Sequence, residues 1–258
     1  MGGFLIVSKA DKIEEYKKIS GEYKVSFEIN DFFVPQLLDN EENLHKVMQL
    51  YKKIGIPKNS TMHGAFLDLA IFSTDKKIRK ISQFRMKQSL EIAKELGLKG
   101  VVFHVNYNPQ IPGESYKQYV IDTTVVYLKK LLEQYKNIEI YLENMFETDP
   151  YVLKKISEQL QGYRNYGVCL DWAHMHVYGK NMKEWIARLH PYVKHIHIND
   201  NDKRDDLHLP LGNGKLNWED FFACYIRYFQ NCSVLIEMNQ PNDQRQSLDY
   251  IRENFGCL

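Results

Sequence analysis

The sequence predicts a (β/α)8 barrel, and three observations carry that prediction. The chain has 258 residues, close to the roughly 250 that such a barrel typically needs. Eight short, apolar, β-rich runs alternate with longer segments of helical period. Six successive runs deliver a histidine, aspartate or glutamate at or near their carboxyl ends, where barrels of this kind place their active sites.

The elements follow in order. A strand at Gly3–Ser8 is followed by Lys9-Ala10-Asp11; this turn has no glycine, so the G-x-G-x-x-G phosphate turn of an open dinucleotide-binding sheet is absent. Lys24–Ile29 reads as the second strand, Asn40–Ile54 as a helix and Ser60–Ala65 as the third strand. Over Asp75–Leu96, Ile78, Ile81, Phe84, Leu90, Ile92, Ala93 and Leu96 form an apolar stripe at three- and four-residue spacing. Gly97 follows as an expected C-cap, because glycine takes the left-handed conformation without penalty. Gly100–Val105 then reads as a buried parallel strand by its continuous apolar run. The alternation continues through Tyr116–Tyr135 (helix), Ile138–Glu143 (strand), Pro150–Leu160 (helix), Tyr166–Asp171 (strand), Met182–Leu189 (helix) and Val193–Ile198 (strand). It closes with Trp218–Phe229 (helix), Ser233–Met238 (strand) and Gln244–Asn254 (helix). No linker or low-complexity segment divides the chain, so residues 1–258 are expected to form one domain.

Composition narrows the function classes. Hydrophobic residues make up 44% and charged residues 26%, as in an ordinary soluble globular protein. The formal net charge of +1 gives no help to a nucleic-acid reading, which usually leaves a strongly basic footprint. Lys52-Lys53, Lys76-Lys77 and Lys129-Lys130 fall on outer helix faces. The four cysteines, Cys169, Cys224, Cys232 and Cys257, form no C-x-x-C pair and suit a reducing compartment. With no signal peptide and no spanning apolar stretch, the expectation is a cytoplasmic protein with no membrane partner.

The chemistry gathers at the strand ends. His63, His104, Glu143, Asp171, His197 and Glu237 sit at or near the ends of the third to eighth strands. Imidazole suits zinc and other borderline metals, and carboxylate suits harder ions. Without a cation, carboxylates crowded there would repel one another and their pKa values would rise. A divalent metal site is therefore expected. His174 lies in the loop just past Asp171, and Asp206-Leu207-His208 lies after the seventh strand, ahead of Leu211-Gly212-Asn213-Gly214. An Asp-x-His pair on such a loop can grip a metal from above.

These residues stand in His63-Gly64-Ala65-Phe66-Leu67-Asp68-Leu69, Val102-Phe103-His104, Leu142-Glu143-Asn144, Leu170-Asp171-Trp172-Ala173-His174, His197-Ile198-Asn199-Asp200, His208-Leu209-Pro210-Leu211-Gly212-Asn213-Gly214 and Ile236-Glu237. At these phrases the chain resembles the xylose isomerase-like TIM-barrel superfamily, which also contains endonuclease IV. The resemblance runs from Gly3 to about Phe255. It implies two chemistries. In the endonuclease IV branch, three zinc ions would be held by His63, His104 and Glu143; by Glu143, Asp171, His197 and Glu237; and by His174, Asp206 and His208, for phosphodiester cleavage of abasic-site DNA. In the sugar and sugar-phosphate isomerase and epimerase branch, one metal (zinc, manganese, magnesium or cobalt) would sit on Glu143, Asp171, His197 and Glu237. Glu143 and Glu237 would then exchange a proton on opposite faces of a sugar carbon. A substrate-contacting arginine in that branch corresponds to Arg204, or to Lys203.

The nine ligand types favour the phosphodiesterase. The phrase at His63, the Ala65 that replaces a common proline, and the turn Val105-Asn106-Tyr107-Asn108-Pro109 depart from endonuclease IV. They favour the isomerase or epimerase, with a sugar or sugar phosphate as substrate. A lyase or aldolase on a keto sugar, or a binding protein for one, is a third reading. Phe66, Tyr107, Phe146, Trp172 and Trp218 are candidate mouth aromatics, of which Phe66 and Trp172 are taken, with Asn144 and Arg204, as substrate-binding. Glu28 and Asn30 are expected behind the metal ligands, and Asn144, Asn199 and Asp200 are expected to orient them. Barrels of this type are often homo-oligomers.

Overall fold

The computed structural model describes residues 3–65 and 68–256. Eight parallel strands close into a barrel in sequence order: β1 (Phe4–Ser8), β2 (Ser26–Ile29), β3 (Thr61–His63), β4 (Gly100–His104), β5 (Glu139–Glu143), β6 (Tyr166–Asp171), β7 (Val193–Ile198) and β8 (Ser233–Ile236). Closure is made by β1 against β8, with Leu5 opposite Leu235. Each connection returns through helix: α1 (Ile13–Tyr23), α2 (Pro35–Leu38), α3 (Glu41–Ile54), α4 (Lys76–Leu96), α5 (Glu114–Gln134), α6 (Tyr151–Leu160), α7 (Trp172–Val177), α8 (Met182–Leu189), α9 (Trp218–Cys224) and α10 (Pro241–Phe255). The expected (β/α)8 barrel is the fold. The helix expected over Trp218–Phe229 changes winding after Cys224, where residues Tyr225–Phe229 form a π turn.

Local chemistry sets the ends of the helices. Asn40, Asp75, Asn181 and Asn217 each cap a helix by accepting a backbone N–H in the first turn. Gly97 ends α4 at φ 68°, as its position predicts. The apolar stripe on α4 is only half buried, however. Leu90, Ile92, Ala93 and Leu96 pack inward, whereas Ile78, Ile81 and Phe84 are exposed. Ser82 and Ser89 occupy the buried face instead, and their hydroxyls receive the backbone N–H groups of Ala70 and Ala65. The helix thus anchors the loop after β3 through hydroxyls as well as through the apolar core.

Strand alternation sorts side chains between two cores. Val101, Phe103, Ile140, Leu142, Val168, Leu170, Ile196, Val234 and Ile236 face the helices in the large outer core. Leu5, Val7 and Leu235 pack together separately, as do Val102, Tyr141 and Cys169, and these fill the barrel's interior. On β7 the alternation sends Ile196 and Ile198 outward and His195 and His197 inward. No helix among the described residues is long and apolar enough to cross a membrane. Cys169, Cys224 and Cys232 are free thiols. Cys257 lies outside the described residues, as does Phe66.

Candidate metal centre

The parallel barrel brings the carboxyl ends of its strands to one mouth, and the polar residues meet there. His63 ends β3, His104 ends β4, Glu143 ends β5 and Asp171 ends β6; His197 is the penultimate residue of β7, and Glu237 follows β8. Glu143 is the hub. Its Oε2 lies 3.0 Å from His104 Nε2 and 3.4 Å from His63 Nε2. Its Oε1 lies 3.2 Å from His197 Nδ1 and 3.6 Å from His174 Nδ1. Glu237 Oε2 reaches His197 Nδ1 at 3.5 Å. Ligand atoms of His63, His104 and Glu143 lie within 4.8 Å of one another, and so do those of Glu143, Asp171, His197 and Glu237. A third group gathers above them, where Asp206 Oδ2 is 3.2 Å from His174 Nε2 and 3.0 Å from His208 Nε2. All nine expected ligands are therefore brought together.

The hydrogen bonds behind the histidines say where one hydrogen of each ring sits. His63 Nδ1 faces the Gly64 carbonyl at 2.9 Å, His174 Nδ1 the Asn144 carbonyl at 3.0 Å, and His208 Nδ1 the Glu237 carbonyl at 2.8 Å. A carbonyl only accepts, so each Nδ1 carries a hydrogen and Nε2 turns inward, with a lone pair whenever the ring is neutral. Those lone pairs face carboxylate oxygens. Acceptor facing acceptor is repulsive unless a proton or a cation lies between. Asp171 Oδ2, Asp206 Oδ1 and Glu237 Oε2 are also buried with no hydrogen bond. Lone pairs, orphaned carboxylate oxygens and backed imidazoles form a donor set that fits a divalent cation.

The ionisation balance agrees. Burial alone would raise Glu143, but His197 and His104 outweigh it and hold this carboxyl well below the usual range. Burial, with Glu237, Glu143 and Asp206 adding to it, pushes Asp171 well above, despite His174. His208 is pushed up to about 10, because Asp206 and Glu237 overcome its burial. In the protein alone, protons take up the repulsion.

Glu28, inside the barrel on β2, backs the cluster. It is fully buried, with Oε2 accepting from Thr61 Oγ1 at 2.7 Å and 3.0 Å from His195 Nε2. Its Oε1 lies 3.1 Å from His197 Nε2, close but not aligned as a hydrogen bond. His195 continues to Ser233 Oγ at 2.7 Å and stacks on Tyr141. Cys169, His195 and His197 also form a close triplet, which the sequence reading missed because no spacing rule pairs residues on neighbouring strands.

Other expected residues take definite places. The Asn144 side chain clamps Asp171 at both ends, donating to its carbonyl at 3.0 Å and accepting its N–H at 2.9 Å. Asp200 grips its own loop, accepting N–H groups of Gly212 and Leu216 and the Trp218 indole at 2.9, 3.1 and 2.9 Å. Asn199 is fully buried, and neither its amide nitrogen nor its oxygen makes a hydrogen bond; Asn30 Oδ1 is likewise buried without one. Trp172 is buried edge-on against Phe221, so its ring meets core rather than the mouth. Tyr107 and Trp218 are buried, whereas Phe146 is 45% exposed. Arg204 is exposed on the loop after β7, and Lys203 stands beside it at φ 67°. Glu147 is an addition to the reading. It is buried four residues past Glu143, accepts the Met145 N–H, and burial raises its pKa to about 7. No motif marked it.

A model of the xylose isomerase-like TIM barrel family matches residues 25–254. The chain belongs to that family. Among relatives, an uncharacterised protein of Methanocaldococcus jannaschii is 25% identical over 82% of this chain and 74% of its own length. A probable endonuclease 4 of Metamycoplasma arthritidis is 26% identical over 88% of this chain and 96% of its own. Among solved structures, a Thermus thermophilus protein soaked with zinc chloride superposes with a TM-score of 0.81 at 22% identity, over 98% of both chains. A D-tagatose 3-epimerase-like protein superposes with a TM-score of 0.77 at 23% identity, over 97% of this chain and 96% of that one. At these identities the two structures speak for the xylose isomerase-like barrel and not for its substrate.

Proposed function

We propose that this protein is a divalent-metal-dependent sugar isomerase or epimerase that moves a proton between Glu143 and Glu237. The observation that carries the reading is that both carboxylates converge on one imidazole nitrogen, His197 Nδ1, at 3.2 and 3.5 Å. With Asp171 they make a four-residue donor set on four adjacent strand ends. When bound there, a divalent ion supplies Lewis acidity toward a carbonyl and its neighbouring hydroxyl. Glu143 and Glu237 come from different strands, so one carboxylate takes the proton from the carbon beside the carbonyl and the other returns one on the opposite face. The fold shared with an epimerase-like protein supports the reading.

One observation favours a second reading, a phosphodiesterase with more than one metal. His63 with His104, and His174 with His208, are gathered around Glu143 and Asp206 in addition to the four-residue set, and relatives include a probable endonuclease 4.

The deciding experiment measures metal per chain in protein purified without chelator, then incubates unphosphorylated and phosphorylated ketoses in deuterated water. Deuterium entering carbon next to the carbonyl, lost in Glu143→Gln and Glu237→Gln, supports the isomerase. About three zinc ions per chain, cleavage of an abasic-site duplex and no exchange into any ketose overturn it.

A further inference from the structure

Beside the donor set, a cleft of about 700 Å³ opens between the loops that follow β4, β5 and β6. Clefts of about 300–1,000 Å³ hold ligands of drug size, so this one extends the site well beyond the reacting carbon. Its lining includes Asn106, Asn108, Gln110, Phe146, Thr148 and Tyr178, and none of its described lining residues is charged. Its inner end abuts the metal centre, where the Tyr178 ring lies 6.0 Å from that of His174. Phe146 meets Tyr178 at a T-shaped angle, ring centroids 5.3 Å apart, and remains 45% exposed.

Resting on the isomerase reading, we propose that this cleft receives the non-reacting part of an unphosphorylated sugar, laid on the exposed ring of Phe146 with its hydroxyls on the amides of the β4 loop. Side-chain amides and hydroxyls both donate and accept, as sugar hydroxyls do. Aromatic rings offer an apolar face to the C–H side of a sugar. A phosphate instead needs Lys or Arg, or a free helix N-terminus. The cleft has no cation in its described lining, and α7 meets it with its C-terminal end, Val177 and the capping Tyr178, rather than with free N–H groups.

The test uses the full chain, with and without chelator, and a panel of ketopentoses and ketohexoses alongside their phosphate esters, measured by calorimetry and by exchange kinetics. An unphosphorylated member is expected to bind at least tenfold more tightly than its ester. Phe146→Ala is expected to weaken binding about tenfold through loss of one stacked face, with KM raised, kcat unchanged and the same loss in metal-free protein. Gln110→Arg, on an exposed position, is expected to bring ester binding up toward that of the free sugar. Equal or tighter binding of the esters by the unaltered protein overturns the proposal, and so does a Phe146→Ala variant with unchanged KM and affinity, or a panel in which no free sugar binds. The two readings separate cleanly. Sugar binding without proton exchange sinks the isomerase and leaves the cleft assignment standing, whereas exchange indifferent to Phe146 does the reverse.

Discussion

His197 stands between Glu28 and the Glu143–Glu237 pair: its Nε2 lies 3.1 Å from Glu28 Oε1, while Nδ1 faces Glu143 at 3.2 Å and Glu237 at 3.5 Å. One imidazole thus joins a carboxylate inside the barrel to the donor set at its mouth. Burial pushes Glu28 up, but His197 and His195 outweigh it and hold it ionised. At 3.1 Å the ionised carboxylate electrostatically favours a hydrogen on Nε2, which leaves Nδ1 as the atom turned to the donor set.

Glu28→Gln is therefore expected to lower metal affinity by about 10- to 100-fold, the usual effect of losing a carboxylate behind a histidine ligand. Competition against a chromophoric chelator measures it, with circular dichroism to confirm the fold. Unchanged affinity in a folded variant removes Glu28 from this role.

Metal removal should be visible as lost stability. A ligand at 100 times its Kd stabilises the native state by about 2.7 kcal/mol, which for a chain of this size corresponds to roughly 5–10 °C in Tm. Thermal melts with chelator, and with zinc or manganese restored, are expected to differ by that amount. Superimposable melts contradict a metal held by these residues.

Glu147 gives the metal-free protein a pH dependence of definite sign. Its carboxyl rises from an ordinary 4.5 to about 7 in the fold, so the native state binds the proton more tightly than the unfolded chain. The stabilisation is whole below pH 4.5 and is lost as pH rises through 7. At about 1.4 kcal/mol per pH unit, the full effect is about 3 kcal/mol. Glu147→Gln is expected to flatten denaturant stability between pH 5 and 8, and a slope identical to that of the unaltered protein refutes the assignment.

Asp200 predicts a selective loss. Its carboxylate holds the N–H groups of Gly212 and Leu216 and the Trp218 indole, in the loop that carries Asp206 and His208. Gly214 lies so near that a Cβ there would overlap Asp200 Oδ1, and Gly212 takes φ 86°, so the two glycines let the loop wrap the carboxylate. Asp200→Ala leaves these donors unpaired at about 1–3 kcal/mol each. Faster limited proteolysis between residues 202 and 208 is expected. Protection equal to the unaltered protein argues that the loop is held otherwise.

All eight strands were legible because parallel strands covered on both faces read as unbroken apolar runs, and the strand-end ligands were legible because the barrel aims those ends at one mouth. Three things were hidden. The α4 stripe misled at Ile78, Ile81 and Phe84, since periodicity reports which residues share a face but not whether a neighbour covers it. The winding change at Tyr225–Phe229 left no mark in composition. His195 owes its partners to strands distant in sequence, and Glu147 owes its raised pKa to burial, so no local pattern announces either. Asn144, expected to orient a neighbouring ligand, clamps Asp171, and Trp172 packs against Phe221.

Strand order has a consequence for synthesis. The four-residue donor set draws on β5, β6, β7 and the residue after β8, in the order Glu143, Asp171, His197, Glu237. During translation His63, His104 and Glu143 emerge long before Glu237, which follows the strand that seals the ring against β1. A nascent chain therefore holds scattered ligands but no assembled pocket, and ion capture at the inner set has to wait for the ring to shut. Maturation and folding become the same event, timed by the last strand to leave the ribosome.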